Sequence, residues 1–211
     1  MTAVIVCNGH IEDYTYYKEY LKSAELIICA DGGANHIRRF GIKPHILLGD
    51  FDSISQDDLK YFKATGTEVI EYPVEKDMTD AELAVECAVE RGSKNIILIG
   101  VLGTRMDHSL SNVFLLKRIL DKGVKGYIVN EYNTITVIKD KILLQREESM
   151  RVSLIPLSIQ VKGVTTKGLY YPLNRATIDM GSTWGISNEF TGDEAQVTIE
   201  DGLLLVIKSR D

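Results

Sequence analysis

Leu26-Ile27-Ile28-Cys29-Ala30-Asp31-Gly32-Gly33-Ala34-Asn35 is the stretch from which the fold can be read. Five apolar residues run without interruption and stop at an acid and two glycines. That is the pattern of a strand buried on both faces that ends in a tight turn. Similar runs recur on either side, at Ala3–Cys7, His45–Leu48, Glu68–Tyr72, Ile96–Ile99 and Gly126–Val129. Helical signals lie between them. Ser55–Ala64 opens with Ser-x-x-Asp and stops at Gly66; Thr79–Arg91 opens with the capping box Thr-x-x-Glu and sets Ala81, Ala84, Val85 and Ala88 on one side. His108–Lys122 ends at Gly123. This alternation predicts an α/β domain over residues 1–130, with a Rossmann-like, mostly parallel sheet flanked by helices. Sheets of that kind bind ligands at the carboxyl ends of their strands, so the polar residues after each run are the candidates for chemistry.

From about Asn133 the texture changes. Thr134–Ile138, Ile142–Leu144, Arg151–Ile155, Ile159–Val161, Ala195–Ile199 and Leu203–Ile207 are short, β-branched and often alternating, with turn signals between them. They predict a small antiparallel β-sandwich over residues 131–211.

The composition narrows the function classes. The 211 residues carry a formal net charge of −6, which disfavours a nucleic-acid surface but permits a small phosphorylated ligand held through a cation. No apolar stretch approaches the roughly 20 residues that cross a bilayer, and the N-terminus reads as a strand and not as a signal peptide. Cys7, Cys29 and Cys87 are odd in number and set among apolar neighbours. They read as buried reduced thiols, and the expected compartment is the cytoplasm.

Four polar clusters follow predicted strands. Asp31-Gly32-Gly33-Ala34-Asn35 offers an acid and a backbone that permits close approach to a ligand. Gly49-Asp50-Phe51-Asp52-Ser53 places two carboxylates where they can converge on one hard cation such as magnesium. Glu75-Lys76-Asp77-Met78-Thr79-Asp80 combines a helix cap at Thr79 with more acids than a cap requires. Gly100-Val101-Leu102-Gly103-Thr104-Arg105-Met106-Asp107-His108 supplies a guanidinium fork for phosphate oxygens and an acid that is either a metal ligand or a cap. His108 is expected to hydrogen-bond within the structure. Together the clusters place carboxylates and one arginine along one sheet edge, the mixture used in metal-assisted phosphoryl chemistry. No G-x-x-x-x-G-K-[ST] loop, kinase H-R-D or D-F-G signature, or Cys/His zinc cluster is present.

Five segments in this order resemble the bacterial form of the thiamine pyrophosphokinase family: Asp31–Asn35, Gly49–Ser53, Asp77–Asp80, Gly103–His108 and Trp184-Gly185-Ile186-Ser187-Asn188-Glu189. The resemblance implies transfer of the pyrophosphoryl group of ATP to the hydroxyl of thiamine, with an N-terminal ATP domain, a C-terminal thiamine domain and a homodimer whose active sites lie between subunits. It also implies Asp50, Asp52 and Asp80 as magnesium ligands, with Asp52, Asp80 and Arg105 in the chemistry. Asp31, Gly32, Asn35, Asp77, Thr79, Arg105 and Asp107 make up the rest of the expected ATP and metal side. Trp184, Ser187 and Asn188 are expected near the thiamine rings, where an indole can stack on the aminopyrimidine or meet the thiazolium charge. A core position for Trp184 is the competing reading. Tyr170 and Tyr171 are read as packing residues.

Two other functions compete. Asp50-Phe51-Asp52-Ser53 superficially resembles the paired aspartates of haloacid-dehalogenase-like phosphatases, which would make the chain a magnesium-dependent phosphohydrolase. That motif belongs after a first strand, and here it follows the third apolar run. A non-catalytic nucleotide or thiamine sensor on the same fold would not need so many carboxylates around an anionic ligand.

Overall fold

Uninterrupted apolar runs become strands because only a buried, two-faced position removes all their side chains from water. The computed structural model, which describes every residue from Met1 to Asp211, divides into two units, Met1–Glu131 and Tyr132–Asp211. In the first, the strands are β1 (Thr2–Val6), β2 (Leu26–Ala30), β3 (Ile46–Gly49), β4 (Glu68–Glu71), β5 (Asn95–Ile99) and β6 (Lys125–Val129). They pair in parallel in the order β4-β3-β2-β1-β5-β6. The sequence numbering reverses direction at β1, between β2 and β5, and this switch point is where a parallel sheet opens a crevice for a ligand. β4 departs from the expected two-sided burial. Glu68 and Glu71 at its ends are exposed, as befits a charged edge strand.

Five helices cover this sheet: α1 (Lys18–Ser23), α2 (Ala34–Phe40), α3 (Gln56–Ala64), α4 (Asp80–Glu90) and α5 (Met106–Asp121). Val4, Val6, Ile27, Cys29 and Leu47 cluster with Leu21, Ile37 and Phe62 from α1, α2 and α3. The alternate residues Ala3, Ile5, Ile28, Ile46 and Leu48 are equally buried and turn to the opposite face by strand periodicity. α4, which packs on β1, β2 and β3, buries Leu83, Ala84, Val85 and Ala88 outside the first cluster. Two caps match the sequence signals. Ser55 Oγ accepts the Asp58 N–H at 3.1 Å and Thr79 Oγ accepts the Glu82 N–H at 3.2 Å. The Glu82 carboxylate, expected to complete a capping box, lies 3.2 Å from Arg118. All three cysteines are free and buried. No helix is long and apolar enough to cross a membrane.

The second unit is wholly antiparallel. β13 (Leu204–Ser209) lies between β7 (Asn133–Ile138) and β9 (Arg151–Pro156). The other layer is β11 (Ala176–Asp179), β10 (Gln160–Lys167), β12 (Glu194–Thr198) and β8 (Lys141–Gln145), in that order. Ile138, Val152, Leu154, Leu204 and Val206 from one layer share a core with Leu144, Val161, Val164, Ile178 and Val197 from the other, which makes the unit a β-sandwich. β10 runs past the predicted Ile159–Val161 because a bulge between Val161 and Val164, with Gly163 at φ 68°, carries the strand onward.

Candidate active site

The carboxyl ends of β2 and β3 hold three acids in one place. Asp31 opens a single 3-10 turn, Asp31–Gly33, with φ 42°. After β3 the chain turns through Gly49 (φ 144°) and Phe51 (φ 61°), and Phe51 and Ile54 drop into the core. That anchorage leaves the flanking acids on the rim. The Asp52 N–H donates to Asp50 Oδ1 at 3.3 Å, and Ser53 Oγ donates to Asp52 Oδ1 at 2.7 Å. Carboxylate oxygens of Asp31, Asp50 and Asp52 all lie within 4.8 Å of one another.

Asp80 joins them through a residue to which the sequence reading gave no role. Lys76 Nζ donates to Asp50 Oδ2 at 2.7 Å and lies 3.3 Å from Asp80 Oδ1. The second distance is an ion pair without hydrogen-bond geometry, so Asp80 Oδ1 remains without a hydrogen-bond partner, as does the equally buried Asp31 Oδ1. The ammonium fixes the electrostatics. Its hydrogen bond holds the Asp50 carboxyl below the usual range against a smaller burial penalty. Burial raises the proton affinity of Asp80, Lys76 opposes that rise, and the charges of Asp50 and Asp31 reinforce it. Burial draws Lys76 down, but its hydrogen bond to Asp50 and its attraction to Asp80 together outweigh this and raise it. The buried Cys7 thiol nearby is pushed up to about 12 by desolvation and by Asp80, so it is an inert thiol and not a nucleophile.

Close backbone packing supports this rim. A Cβ on Gly32 would lie 2.4 Å from Asn8 Nδ2, and one on Gly33 would lie 2.3 Å from Val6 O. The loops after β1 and β5 continue as a pair, with Gly9 N–H donating to Gly100 O at 2.6 Å and His10 N–H to Leu102 O at 3.2 Å. Gly100 has a packing reason for its lack of a side chain: φ 66° and a Cβ position 2.5 Å from Cys7 O. The Asn8-Gly9-His10 loop follows the apolar run of β1 and carries no charged group among its first two residues to mark it in the sequence.

The other expected residues fall into separate groups. Asp77 and Asn35 are exposed, and Thr79 is the α4 cap. Arg105 and Asp107 face each other at 2.6 Å on an open surface. Asp107 is not a cap; it lies in the first turn of α5, whose N-cap is Arg105. His108 is more than half exposed and 3.9 Å from Asp107, so the expected internal hydrogen bond is not found.

In the second unit the Trp184–Glu189 segment runs along β9. Leu154 N–H donates to Gly185 O and Val152 N–H to Asn188 O, each at 2.8 Å. Trp184 is 62% exposed, which removes the core reading. Tyr170 and Tyr171, at 63% each, are likewise surface residues and not packing residues, stacked edge-on 4.9 Å apart. Ser187 is exposed with φ 58° and its N–H bonded to Ser153 Oγ. Asn188 is buried, and its amide bonds the backbone of Tyr171 at both N–H and C=O and the N–H of Glu189. A groove of about 510 Å³ lined by Arg146, Met150, Arg151, Glu189, Phe190 and Asp211 also belongs to this unit and contains none of the expected site residues.

Comparison with known proteins agrees across both units. Residues 17–128 match the family model for the thiamin pyrophosphokinase catalytic domain, and residues 139–204 match that for its vitamin B1 binding domain. The chain is 32% identical to thiamine pyrophosphokinase of Bacillus subtilis over 91% of either chain. The crystal structure of the Bacillus subtilis protein superposes with a TM-score of 0.90 at 31% identity, covering all of both chains. That of thiamin pyrophosphokinase from Geobacillus thermodenitrificans gives 0.86 at 32% identity, over 100% of this chain and 98% of the other. The chain belongs to the thiamin pyrophosphokinase family.

Proposed function

We propose that the chain transfers the pyrophosphoryl group of ATP to the hydroxyl of thiamine, giving thiamine diphosphate and AMP. The observation that carries this reading is the gathering of Asp31, Asp50 and Asp52 at the strand ends, joined by Asp80 through Lys76. The donor set suits magnesium: it is all oxygen, it is crowded with negative charge, and Asp31 Oδ1 and Asp80 Oδ1 lack hydrogen-bond partners. Asp50, Asp52 and Asp80 would hold the ion, with Asp31 and Asp77 in support. When bound, magnesium supplies positive charge to the phosphate oxygens of ATP and orients them.

The remaining work falls to side chains. The thiamine hydroxyl oxygen attacks the β-phosphorus in line, the bond from that phosphorus to the oxygen bridging the α-phosphorus breaks, and AMP departs. Asp80 or Asp52 receives the hydroxyl proton. Arg105 offsets charge on the transferring group or on AMP, with Asp107 holding its guanidinium. Gly32, Asn35 and Thr79 line the nucleotide side. Trp184 offers its open indole face to thiamine, Ser187 reads its ring, and Asn188 holds the Tyr171 segment in place. A homodimer with sites between subunits, working in the cytoplasm, completes the proposal; the three buried free thiols support that compartment.

Incubation with ATP, magnesium and thiamine should yield AMP and thiamine diphosphate in equal amounts. Release of inorganic phosphate would instead indicate a phosphohydrolase, and ATP binding without AMP a sensor. Asp52→Asn should keep the fold and cut turnover at least about a hundredfold. Near-normal turnover in the folded variant would take Asp52 out of the chemistry.

A further inference from the structure

Within the acidic rim Lys76 is the one cation that an oxygen of Asp50 or Asp80 meets, and its side chain is only 13% exposed. A largely buried ammonium between two carboxylates supplies the same positive charge as a divalent ion bridging them, and at that distance the ammonium and the ion would repel each other. Lys76 lies in the loop before α4 and carries its charge on a flexible four-carbon stem. A displaced ammonium there would still need an anion, and a polyphosphate arriving at the same rim supplies one.

We infer that Lys76 is an exchangeable counter-ion: it competes with the divalent cation for Asp50 and Asp80 and, once displaced, transfers its charge to the polyphosphate of the nucleotide. The inference rests on the proposed cation site and gives it a regulatory property. Metal alone must expel Lys76 with nothing to receive it, whereas metal arriving with nucleotide exchanges one set of pairs for another. Lys76 therefore makes cation and nucleotide binding mutually dependent, and it opposes loading of the acids by metal alone. It is a positioning residue and takes no part in bond making.

The test is Mn²⁺ binding, followed by electron paramagnetic resonance, to the full chain and to Lys76→Met, with and without the α,β-methylene analogue of ATP. Without nucleotide, Lys76→Met should bind Mn²⁺ about tenfold tighter than the parent chain, at the lower end of ordinary coupling between sites. The analogue should tighten Mn²⁺ binding strongly in the parent chain and much less in the variant. The melting temperature of Lys76→Met should also gain more from Mn²⁺ than that of the parent, because the variant leaves the acids uncompensated. Lys76→Gln, which keeps length and polarity, carries the same comparison if Lys76→Met does not fold. Unchanged or weaker Mn²⁺ affinity in the folded variants would overturn the exchange. A parent chain that binds no Mn²⁺ with or without the analogue would overturn the cation site as well.

Discussion

Replacing Gly49 by alanine forces a methyl group into the seam between the end of β3 and the Asp31 turn. The new Cβ would lie 2.9 Å from Asp31 Cβ and 3.1 Å from Asp31 Cα. Carbons attract at about 3.5–4.0 Å, so both contacts are repulsive. Neither neighbour is the end of a flexible side chain, and Asp31 is already held at φ 42°. Overpacking of this kind costs about 1–3 kcal/mol. The backbone adds a second penalty, since φ is 144° at Gly49 and an L-residue held in such a region costs about 1–3 kcal/mol. The expected loss is therefore about 2–6 kcal/mol. Gly41→Ala is the control: φ there is 67° with nothing within 4 Å of the Cβ position, so only a left-handed penalty of about 1–2 kcal/mol applies. All five helices belong to the first unit, so urea unfolding followed by the helical circular-dichroism signal reports on it directly. Turnover of folded Gly49→Ala should fall as well, because Asp31 moves relative to Asp50. A Gly49→Ala protein no less stable than Gly41→Ala would refute the steric argument.

Trp184→Ala should weaken thiamine binding more than ATP binding in separate titrations; equal losses would take the indole out of the thiamine site. Asn188→Ala should speed hydrogen exchange at the Tyr171 and Glu189 amides at least about fivefold, since each loses its buried acceptor. Unaltered exchange there would show that the amide is not what orders the segment. His36 predicts a pH dependence. Burial depresses its pKa below the ordinary 6.5, and the neutral ring accepts from Tyr14 OH at 2.6 Å and donates to Gly9 O at 2.8 Å. The Gly9 bond opposes the depression, while Arg39 and His10 add to it. Its contribution to stability is complete above pH 6.5 and is lost as pH falls from there through the lower folded value. His36→Gln should flatten the stability profile across that window, and an identical slope in the variant would contradict this.

Much of the fold was legible because strands buried on both faces leave an unmistakable trace. Leu26–Ala30 stands in the structure with the bounds read from the sequence, and Ser55 and Thr79 cap as their spacing indicated. What escaped had weak local signals. α2 is short and starts inside the glycine turn without a side-chain cap, so Asp31–Asn35 read as a turn alone. β11 has a single fully buried apolar residue, Ile178, and lies after a proline-containing stretch. The convergence of Asp31, Asp50 and Asp52 followed from sheet topology, because strand ends share an edge whatever their separation in sequence. Lys76 was not assigned a role because its partner Asp50 is 26 residues away and only the folded loop shows which acid it meets. Arg105 and Asp107 read as two ligand-facing groups because sequence cannot show that two charges two positions apart satisfy each other.

The central place of β1 also has a kinetic consequence. Asn95 bonds Thr2 across 93 residues, and β1 has β5 as its second neighbour. During synthesis at about 5–20 residues per second, one flank of the first strand must wait on the order of 5–20 s for its partner to be made. An open apolar edge held that long invites pairing with other chains, so nascent molecules should depend on chaperone cover until residue 99 has left the ribosome.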